Sequence, residues 1–259
     1  MAVESPVLTS VDGTVLTITL NRPEARNCVN LGLAQGVADA LDLLDQDPDL
    51  RVGIFVGAGG AFCAGMDLKA FTEGQLPLVD GRGFAGIAER SARKPLIAAV
   101  EGFAVGGGLE IALACDIIVA AQNAKLGLPE VRVGLIAGAG GLFRLPRRVG
   151  PGQAALLGLT AAPVSGEEGH RIGLVDVLTE PGGALEQART VAAAIAANGP
   201  LAVETTKLIL DGSFDVEESE FWKWQAPYFE KVATSGDAAE GAQAFVEKRA
   251  PRWGTRDAI

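Results

Sequence analysis

The sequence predicts an α/β protein that ends in a helical region. Runs of β-prone apolar residues alternate with helical patterns as far as about residue 121, and this alternation is typical of an α/β fold. Beyond about Gly183 the apolar residues recur at helical spacing, which indicates helices that need a partner surface. The 34 glycines cluster at turns rather than repeating, so they indicate many tight junctions between strands and helices.

Three elements are predicted before residue 60. Val7–Leu20 is expected to form a β-hairpin, because two β-prone runs flank the turn sequence Asp12-Gly13. Leu31–Leu44 carries apolar residues at the spacing of an α-helix. Val52–Val56 is a short apolar run that ends at glycine, as a buried strand does.

The alternation continues through the middle of the chain. Gly83–Arg93 is predicted to be helical and to end before Lys94-Pro95. Leu96–Val100 and Cys115–Ala121 are predicted buried strands, and Leu109–Ala114 is a predicted helix between them. Helices are also predicted along the tail, at Ala184–Ala197, Pro200–Leu210, Val216–Ala233 and Asp237–Lys248.

Composition excludes several classes of function. The formal net charge is −10, so we expect no nucleic-acid partner that would bind a general basic surface. Three cysteines without metal-like spacing, and a single histidine, predict neither a disulfide framework nor a metal site. The first residues lack a signal-peptide pattern, and no apolar stretch approaches the length of a membrane span. We therefore expect a cytoplasmic protein without a membrane partner.

Two glycine-rich turns are the strongest functional signal. They are GAGGAFCAGMDL at residues 57–68 and EGFAVGGGLE at residues 101–110, and each joins a strand-like run to a helical one. N–H groups in the first turn of a helix lack intrahelical partners and can stabilise an oxygen that gains negative charge. The two turns could therefore direct two backbone N–H groups at one oxygen. The alternative is that the glycines only permit close packing of helix on strand.

Two glutamates accompany these turns. Glu110 lies two residues after the glycine triplet, and Glu130 follows Pro129 in the first turn of a predicted helix. Either residue alone could be structural, Glu110 as an exposed helix residue and Glu130 as a partner of the helix dipole. Paired N–H donors with two carboxylates suit a reaction in which a carbonyl becomes an enolate while protons are moved beside it. Cys63 is interpreted as a packed small residue rather than a nucleophile, because the single histidine lies in a separate predicted helix.

Four segments together resemble the crotonase (enoyl-CoA hydratase/isomerase) superfamily, most closely its enoyl-CoA hydratases. They are NRPEARNCVN, GAGGAFCAGMDLKAF, PLIAAVEGFAVGGGLEIALACDIIVAA and LPEVRVGLIAGAGGLFRLPRRVG, in the order and spacing of the family. The resemblance covers essentially the whole chain. It implies a spiral of ββα units over residues 1–195, and a helical region over residues 196–259 that builds homotrimers or hexamers and covers the coenzyme A site.

The resemblance also implies roles for individual residues. The N–H groups of Met66 and Gly107 would bind the thioester carbonyl of an acyl-CoA, while Glu110 and Glu130 would hold a water between them. Glu130 would mainly exchange a proton with the substrate, and Glu110 would orient and help deprotonate the water. Residues 71–86 would form a mobile stretch over the acyl pocket. The residues implied to line the substrate and coenzyme A site are Arg26, Ala64, Gly65, Asp67, Leu68, Lys69, Gly106, Gly138, Phe245 and Lys248.

Several activities remain open at this point. Retention of both glutamates favours enoyl-CoA hydratase activity, with no cofactor beyond the coenzyme A of the substrate. Carnitinyl-CoA dehydratase and enoyl-CoA isomerase are the alternatives within the superfamily. A non-catalytic acyl-CoA binder is the alternative outside enzymes.

Overall fold

A computed structural model describes residues 5–254. The predicted α/β class is confirmed, because parallel strands alternate with helices and a helical region follows. The strands are β1 (Val7–Asp12), β2 (Val15–Leu20), β3 (Val52–Gly57), β4 (Leu78–Val79), β5 (Gly83–Phe84), β6 (Leu96–Val100), β7 (Phe103–Val105), β8 (Ile117–Ala121), β9 (Lys125–Gly127), β10 (Val164–Ser165) and β11 (Val177–Thr179). The helices are α1 (Leu31–Gln46), α2 (Leu68–Thr72), α3 (Gly107–Leu113), α4 (Gly141–Thr160), α5 (Gly166–Arg171), α6 (Ala184–Ala196), α7 (Pro200–Gly212), α8 (Glu218–Ala233) and α9 (Gly236–Glu247).

The largest sheet has the order β1-β2-β3-β6-β8-β11. β1 and β2 form the predicted antiparallel hairpin, and Gly13 has a left-handed φ of 57° in its turn. β2, β3, β6, β8 and β11 run parallel to one another. A smaller sheet contains β7 beside β9 and β10 beside β9. The chain therefore alternates between the sheets, and β6, β7 and α3 form one strand–strand–helix unit.

Both faces of the large sheet are buried, which explains the continuous apolar runs in its central strands. On one face α6 packs small residues, including Ala188, against Ile54 and Val119. On the other face α1 and α3 cover residues such as Phe55. The helix predicted at residues 31–44 and the strands predicted at 52–56, 96–100 and 115–121 are thus confirmed within a few residues.

The helix predicted over Gly83–Arg93 is wrong. β5 occupies its first two residues, and turns rather than a helix follow. Gly83, Ala85 and Gly86 all have positive φ values, which a right-handed helix does not permit. At Gly86 an added Cβ would lie 2.3 Å from the carbonyl oxygen of Ala34, so close approach to α1 fixes this turn.

The tail contains the four predicted helices, which are α6 to α9. The predicted division at residue 195 falls inside α6, whose alanines belong to the sheet core. α7 is also attached to the sheet, because Lys207 forms a 2.7 Å ion pair with Asp116 and donates to the carbonyl of Lys94. α8 and α9 expose large apolar side chains, among them Trp222, Phe229, Phe245 and Val246.

The described residues contain neither a candidate membrane span nor a candidate metal-binding cluster. Within residues 5–254, no helix combines the length and apolar character needed to cross a bilayer. The same residues contain no cluster of three or more His, Cys, Asp or Glu side chains that could hold a metal ion.

Candidate active site

Backbone pairing brings the two glycine-rich turns together. Residues 61–67 follow β3 and lie beside β7, because the N–H of Cys63 donates to Phe103 and the N–H of Val105 donates to Cys63. On its other side this turn is held by Val29, which donates to the carbonyl of Gly65 and accepts from the N–H of Asp67. The turn is therefore fixed between β7 and the residues that precede α1.

Met66 and Gly107 are consequently neighbours. A Cβ added to Gly65 would lie 3.1 Å from the amide nitrogen of Gly107, so the absence of a side chain permits this approach. Gly65 and Gly106 have φ values of 95° and 57°, which also favour glycine. Among residues 5–254, no acceptor receives a hydrogen bond from the N–H of Met66 or of Gly107. Both residues line one cavity, so their unpaired N–H groups are candidate donors to a bound oxygen.

This cavity has a volume of about 810 Å³. It contains all four residues that the sequence singled out for chemistry: Met66, Gly107, Glu110 and Glu130. Of the residues implied to bind substrate, Ala64, Gly65, Leu68, Gly106 and Gly138 also line it.

Glu110 lies on α3, one turn after Gly107, and is only 5% exposed. Its Oε1 atom accepts hydrogen bonds from the N–H groups of Ala139 at 2.7 Å and Gly141 at 2.9 Å. Burial and the charge of Glu130 raise the pKa of Glu110 to about 7, although both N–H donors and Arg144 oppose the rise. The carboxyl group is therefore fixed in position and can change its charge near neutral pH.

Glu130 begins a short 3-10 helix, Glu130–Val133, that follows β9. Both of its carboxyl oxygens are buried, and neither has a hydrogen-bond partner on another described residue. Burial raises the pKa of Glu130 above its ordinary value. The carboxyl group lies beside the second glycine-rich turn, because a Cβ added to Gly106 would be 3.3 Å from Oε1 of Glu130.

The charge of Glu130 raises the pKa of Glu110, and both residues line one cavity. Coupled acids of this kind titrate as a pair, and one proton on the pair leaves one acid and one base at neutral pH. The unpartnered oxygens of Glu130 can exchange a proton with a bound molecule. Glu110, which two backbone donors hold, can orient a water between the two groups.

A model of the family described as enoyl-CoA hydratase/isomerase matches residues 10–256. The chain belongs to this family. A carnitinyl-CoA dehydratase from Proteus mirabilis is 38% identical over 249 residues, which cover 93% of this chain and 95% of that protein.

Solved structures of similar proteins agree with this assignment. An enoyl-CoA hydratase from Mycobacterium tuberculosis H37Rv superimposes with a TM-score of 0.96 and 50% identity, over 98% of this chain and all of that one. A carnitinyl-CoA hydratase from Mycobacterium avium has a TM-score of 0.78 and 38% identity, over 98% of this chain and 100% of that one. The chain therefore has the crotonase fold.

Asp67, which the resemblance places among the substrate contacts, does not line the cavity. Its side chain accepts from the N–H of Ala70 at the start of α2 and forms a 3.1 Å ion pair with Arg22. Burial would raise the pKa of Asp67, but the hydrogen bonds from Ala70 and Arg22 outweigh it and lower that pKa. The side chain thus anchors the end of the Met66 turn.

The other four residues implied to contact coenzyme A also lie outside the cavity lining. Arg26 and Lys69 are exposed. Phe245 is 85% exposed on α9, and Lys248 ends that helix in a left-handed conformation. Their roles in binding coenzyme A stay predictions.

Sequence reasoning missed the turn that holds Glu110. Ala139 and Gly141 supply its hydrogen bonds, and Arg144 in the first turn of α4 lines the same cavity. The signal was present as AGAGG at residues 137–141, a third glycine-rich entry to a helix. The cavity wall also contains the apolar residues Leu76, Leu78 and Phe84. They lie within residues 71–86, the stretch predicted to cover the acyl pocket, but the sequence pattern did not single them out.

Cys63 is fully buried within the first turn. Its thiol lies 3.1 Å from the carbonyl oxygen of Asn27 and accepts from the N–H of Gly65. Burial raises the pKa of this thiol to about 12, so the reactive thiolate is not formed at neutral pH. The structure therefore agrees with a packing role.

Proposed function

We propose that the protein is an enoyl-CoA hydratase, which adds water reversibly across the double bond of a 2-enoyl-CoA thioester. One observation carries this proposal: two residues with unpaired backbone N–H groups and two glutamates with buried carboxyl groups line the same cavity. The N–H pair suits an oxygen that gains charge, and the carboxyl pair suits a reaction that moves a water and a proton together.

The thioester carbonyl oxygen would accept hydrogen bonds from the N–H groups of Met66 and Gly107. As water adds to C3, negative charge moves through C2 onto this oxygen and forms an enolate. Donors held by the folded backbone need no reorganisation as the charge develops, and losing one typically costs about 10²–10³ in rate. The start of α3 adds the positive end of its dipole at Gly107.

The two glutamates would divide the proton transfers. The raised pKa of Glu110 lets either carboxyl group hold the shared proton, and the productive state has it on Glu130. Ionised Glu110 takes a proton from the water as the water oxygen forms a bond to C3, and Glu130 gives its proton to C2. The substrate gains one water, and the pair still carries one proton, which came from the water and lies on Glu110. Exchange of that proton between the two carboxyl groups restores the starting state. Dehydration uses the same steps in reverse.

Carnitinyl-CoA dehydratase is the second candidate, because relatives of that name cover nearly the whole chain. Its substrate carries a cationic acyl group, which an anionic or aromatic wall would stabilise. Glu89 lines the cavity and could serve this purpose. The ring of Phe143, however, already has the guanidinium of Arg147 at 3.7 Å from its centre. The remaining walls are mainly apolar, which favours an uncharged acyl chain.

Further properties belong to the same proposal. Lys248 and Phe245 would reach the coenzyme A of an acyl-CoA bound in a neighbouring subunit. The exposed apolar residues of α8 and α9 would be covered in a homotrimer or a dimer of trimers. The reaction needs no cofactor, and the proposed compartment is the cytoplasm. Isomerase activity would leave one of the two glutamates without a proton-transfer role. Binding of acyl-CoA without catalysis would leave both glutamates without such a role.

The test is a panel of thioesters incubated with the protein, with products weighed by mass spectrometry. Crotonyl-CoA should gain the mass of one water, whereas isomerisation leaves the mass unchanged and hydrolysis releases free coenzyme A. Turnover of carnitinyl-CoA but not crotonyl-CoA would favour the second candidate. Glu130→Gln is the matched control, because it keeps the shape of the side chain and removes the acid. Equal turnover by this variant would exclude the proposed proton transfer.

A further inference from the structure

Arg144 is a cation at a position that helix electrostatics disfavour. It lies in the first turn of α4, whose N-terminus carries the positive end of the helix dipole. The side chain is half-buried and lines the cavity. Burial alone lowers the pKa of Arg144, and nearby Glu110 opposes that change. Specific partners must therefore compensate for this placement.

Two carbonyl groups provide part of this compensation. The guanidinium donates to the carbonyl oxygen of Ala88 at 2.7 Å and, over a longer 3.4 Å, to that of Ala139. Ala88 follows the β4–β5 hairpin and lies on the cavity wall. Arg144 thus joins the start of α4 to the wall of the acyl cavity.

The same guanidinium packs directly on the turn that holds Glu110. Gly140 has a left-handed φ of 96°, and a Cβ added there would lie 2.0 Å from Nη1 of Arg144. The N–H groups on either side of Gly140 are the two donors to Glu110. A movement of Arg144 would therefore move the donors that fix this carboxyl group.

We infer that Arg144 is a positioning residue, which fixes the turn around Gly140 and stabilises the ionised form of Glu110. This inference rests on the proposed hydratase function. Arg144 affects the reaction only through Glu110. Its replacement should therefore change the pH dependence of activity, which the loss of a residue with a packing role alone would not do. Nothing in the sequence motif alone distinguished it from the neighbouring arginines of α4.

The charges around this pair fix the direction of the expected effect. Glu110 faces Glu130, which raises its pKa, and Arg144, which lowers it. Arg144 faces Cys115 and Asp211 as well as Glu110, and Arg147 on its own helix opposes its charge. Removing the cation leaves Glu110 with a carboxylate neighbour, so its pKa rises further.

The experiment compares the pH dependence of kcat/KM for crotonyl-CoA in Arg144→Gln, Arg144→Lys and the unchanged protein. Arg144→Gln removes the charge but retains a donor, and we expect the acidic limb of the profile to shift upward by up to about one unit. Arg144→Lys retains the charge, so its midpoint should stay near the original while kcat falls about tenfold or more through lost positioning. Arg171→Gln is the control for net charge, because that exposed arginine lies on α5 and should change neither quantity.

Thermal unfolding scans accompany each variant. An Arg144→Gln protein that folds and keeps the original midpoint would overturn the inference. So would loss of folding in both Arg144 variants, because Arg144 would then have a structural role only. An unchanged protein that does not hydrate crotonyl-CoA would instead refute the proposed function, and the product masses separate these two failures.

Discussion

Gly107→Ala tests the proposal that the N–H of Gly107 binds the thioester carbonyl oxygen. The ring of Phe84 lies against this residue, so an added methyl group would disturb the proposed binding position. A Cβ at this position would lie 2.5 Å from Cζ and 2.7 Å from Cε1 of Phe84. Carbon atoms in contact prefer about 3.5–4.0 Å, so the ring has to retreat by about 1 Å. Gly107 lies inside α3, where alanine is favourable. The conflict is therefore with a side chain at the cavity, not with the helix.

The expected result is a large loss of rate with little loss of stability. Displacement of a positioned group by about 1 Å can cost about 10²-fold, and loss of an oxyanion donor costs about 10²–10³. We expect kcat for crotonyl-CoA hydration to fall by about 10²-fold, as followed by the absorbance of the conjugated thioester. The unfolding midpoint should change by no more than a few degrees, as expected for a change of about 1 kcal/mol or less.

Two further variants separate the possible causes. Phe84→Ala combined with Gly107→Ala restores the space, so part of the lost activity should return. Gly108→Ala is the structural contrast, because its Cβ would lie 2.2 Å from the backbone oxygen of Cys63 and should destabilise the fold. Normal kcat in Gly107→Ala would refute the placement of the carbonyl at this amide. A double variant as inactive as the single one would show that the added methyl group itself, rather than the displaced ring, obstructs the substrate.

Three other predictions address stability and coenzyme A. Burial raises the pKa of Glu110 to about 7, so the folded state binds this proton more tightly than the unfolded state, and the group's contribution to stability falls as pH rises from about 4.5 to 7. Glu110→Gln should remove that decline in urea unfolding experiments, and an unchanged decline would contradict the burial argument. Asp67→Ala should lower the free energy of unfolding by about 1–2 kcal/mol, because it removes both the helix cap and the ion pair. Asp67→Asn keeps the cap, so it should lower the free energy of unfolding by less. Equal decreases in the two variants would exclude a capping role. Lys248→Ala should raise KM for crotonyl-CoA and leave KM for the pantetheine thioester unchanged, and equal effects on both would place the lysine away from the nucleotide.

The sequence predicts most of the fold because local signals and the tertiary structure agree. The Asp12-Gly13 turn is flanked by strands, and the apolar run at Ile54 is buried on both faces of the sheet. The predicted helix at Gly83–Arg93 fails because its glycines serve a tertiary contact. Gly86 approaches the backbone of Ala34, and no local pattern distinguishes such a glycine from one that merely weakens a helix.

The candidate site follows from sequence in a similar way. Glycine-rich turns at strand-to-helix junctions predict backbone N–H groups near a ligand. In the structure, Met66 and Gly107 from the two turns line one cavity. The partners of Glu110 were not predictable by spacing, since Ala139 and Gly141 lie about thirty residues away and contribute through their backbone. Asp67 stays a predicted substrate contact, and no local pattern indicates that its carboxylate also caps α2 and pairs with Arg22.

The most direct test of the central claim is a crystal structure of the Glu130→Gln variant with an acyl-CoA bound. The account predicts the thioester oxygen within about 3 Å of the amide nitrogens of both Met66 and Gly107. The side chains of Glu110 and Gln at position 130 should flank the carbons next to that carbonyl. A thioester oxygen held by other groups, or acyl carbons remote from both side chains, would contradict the account.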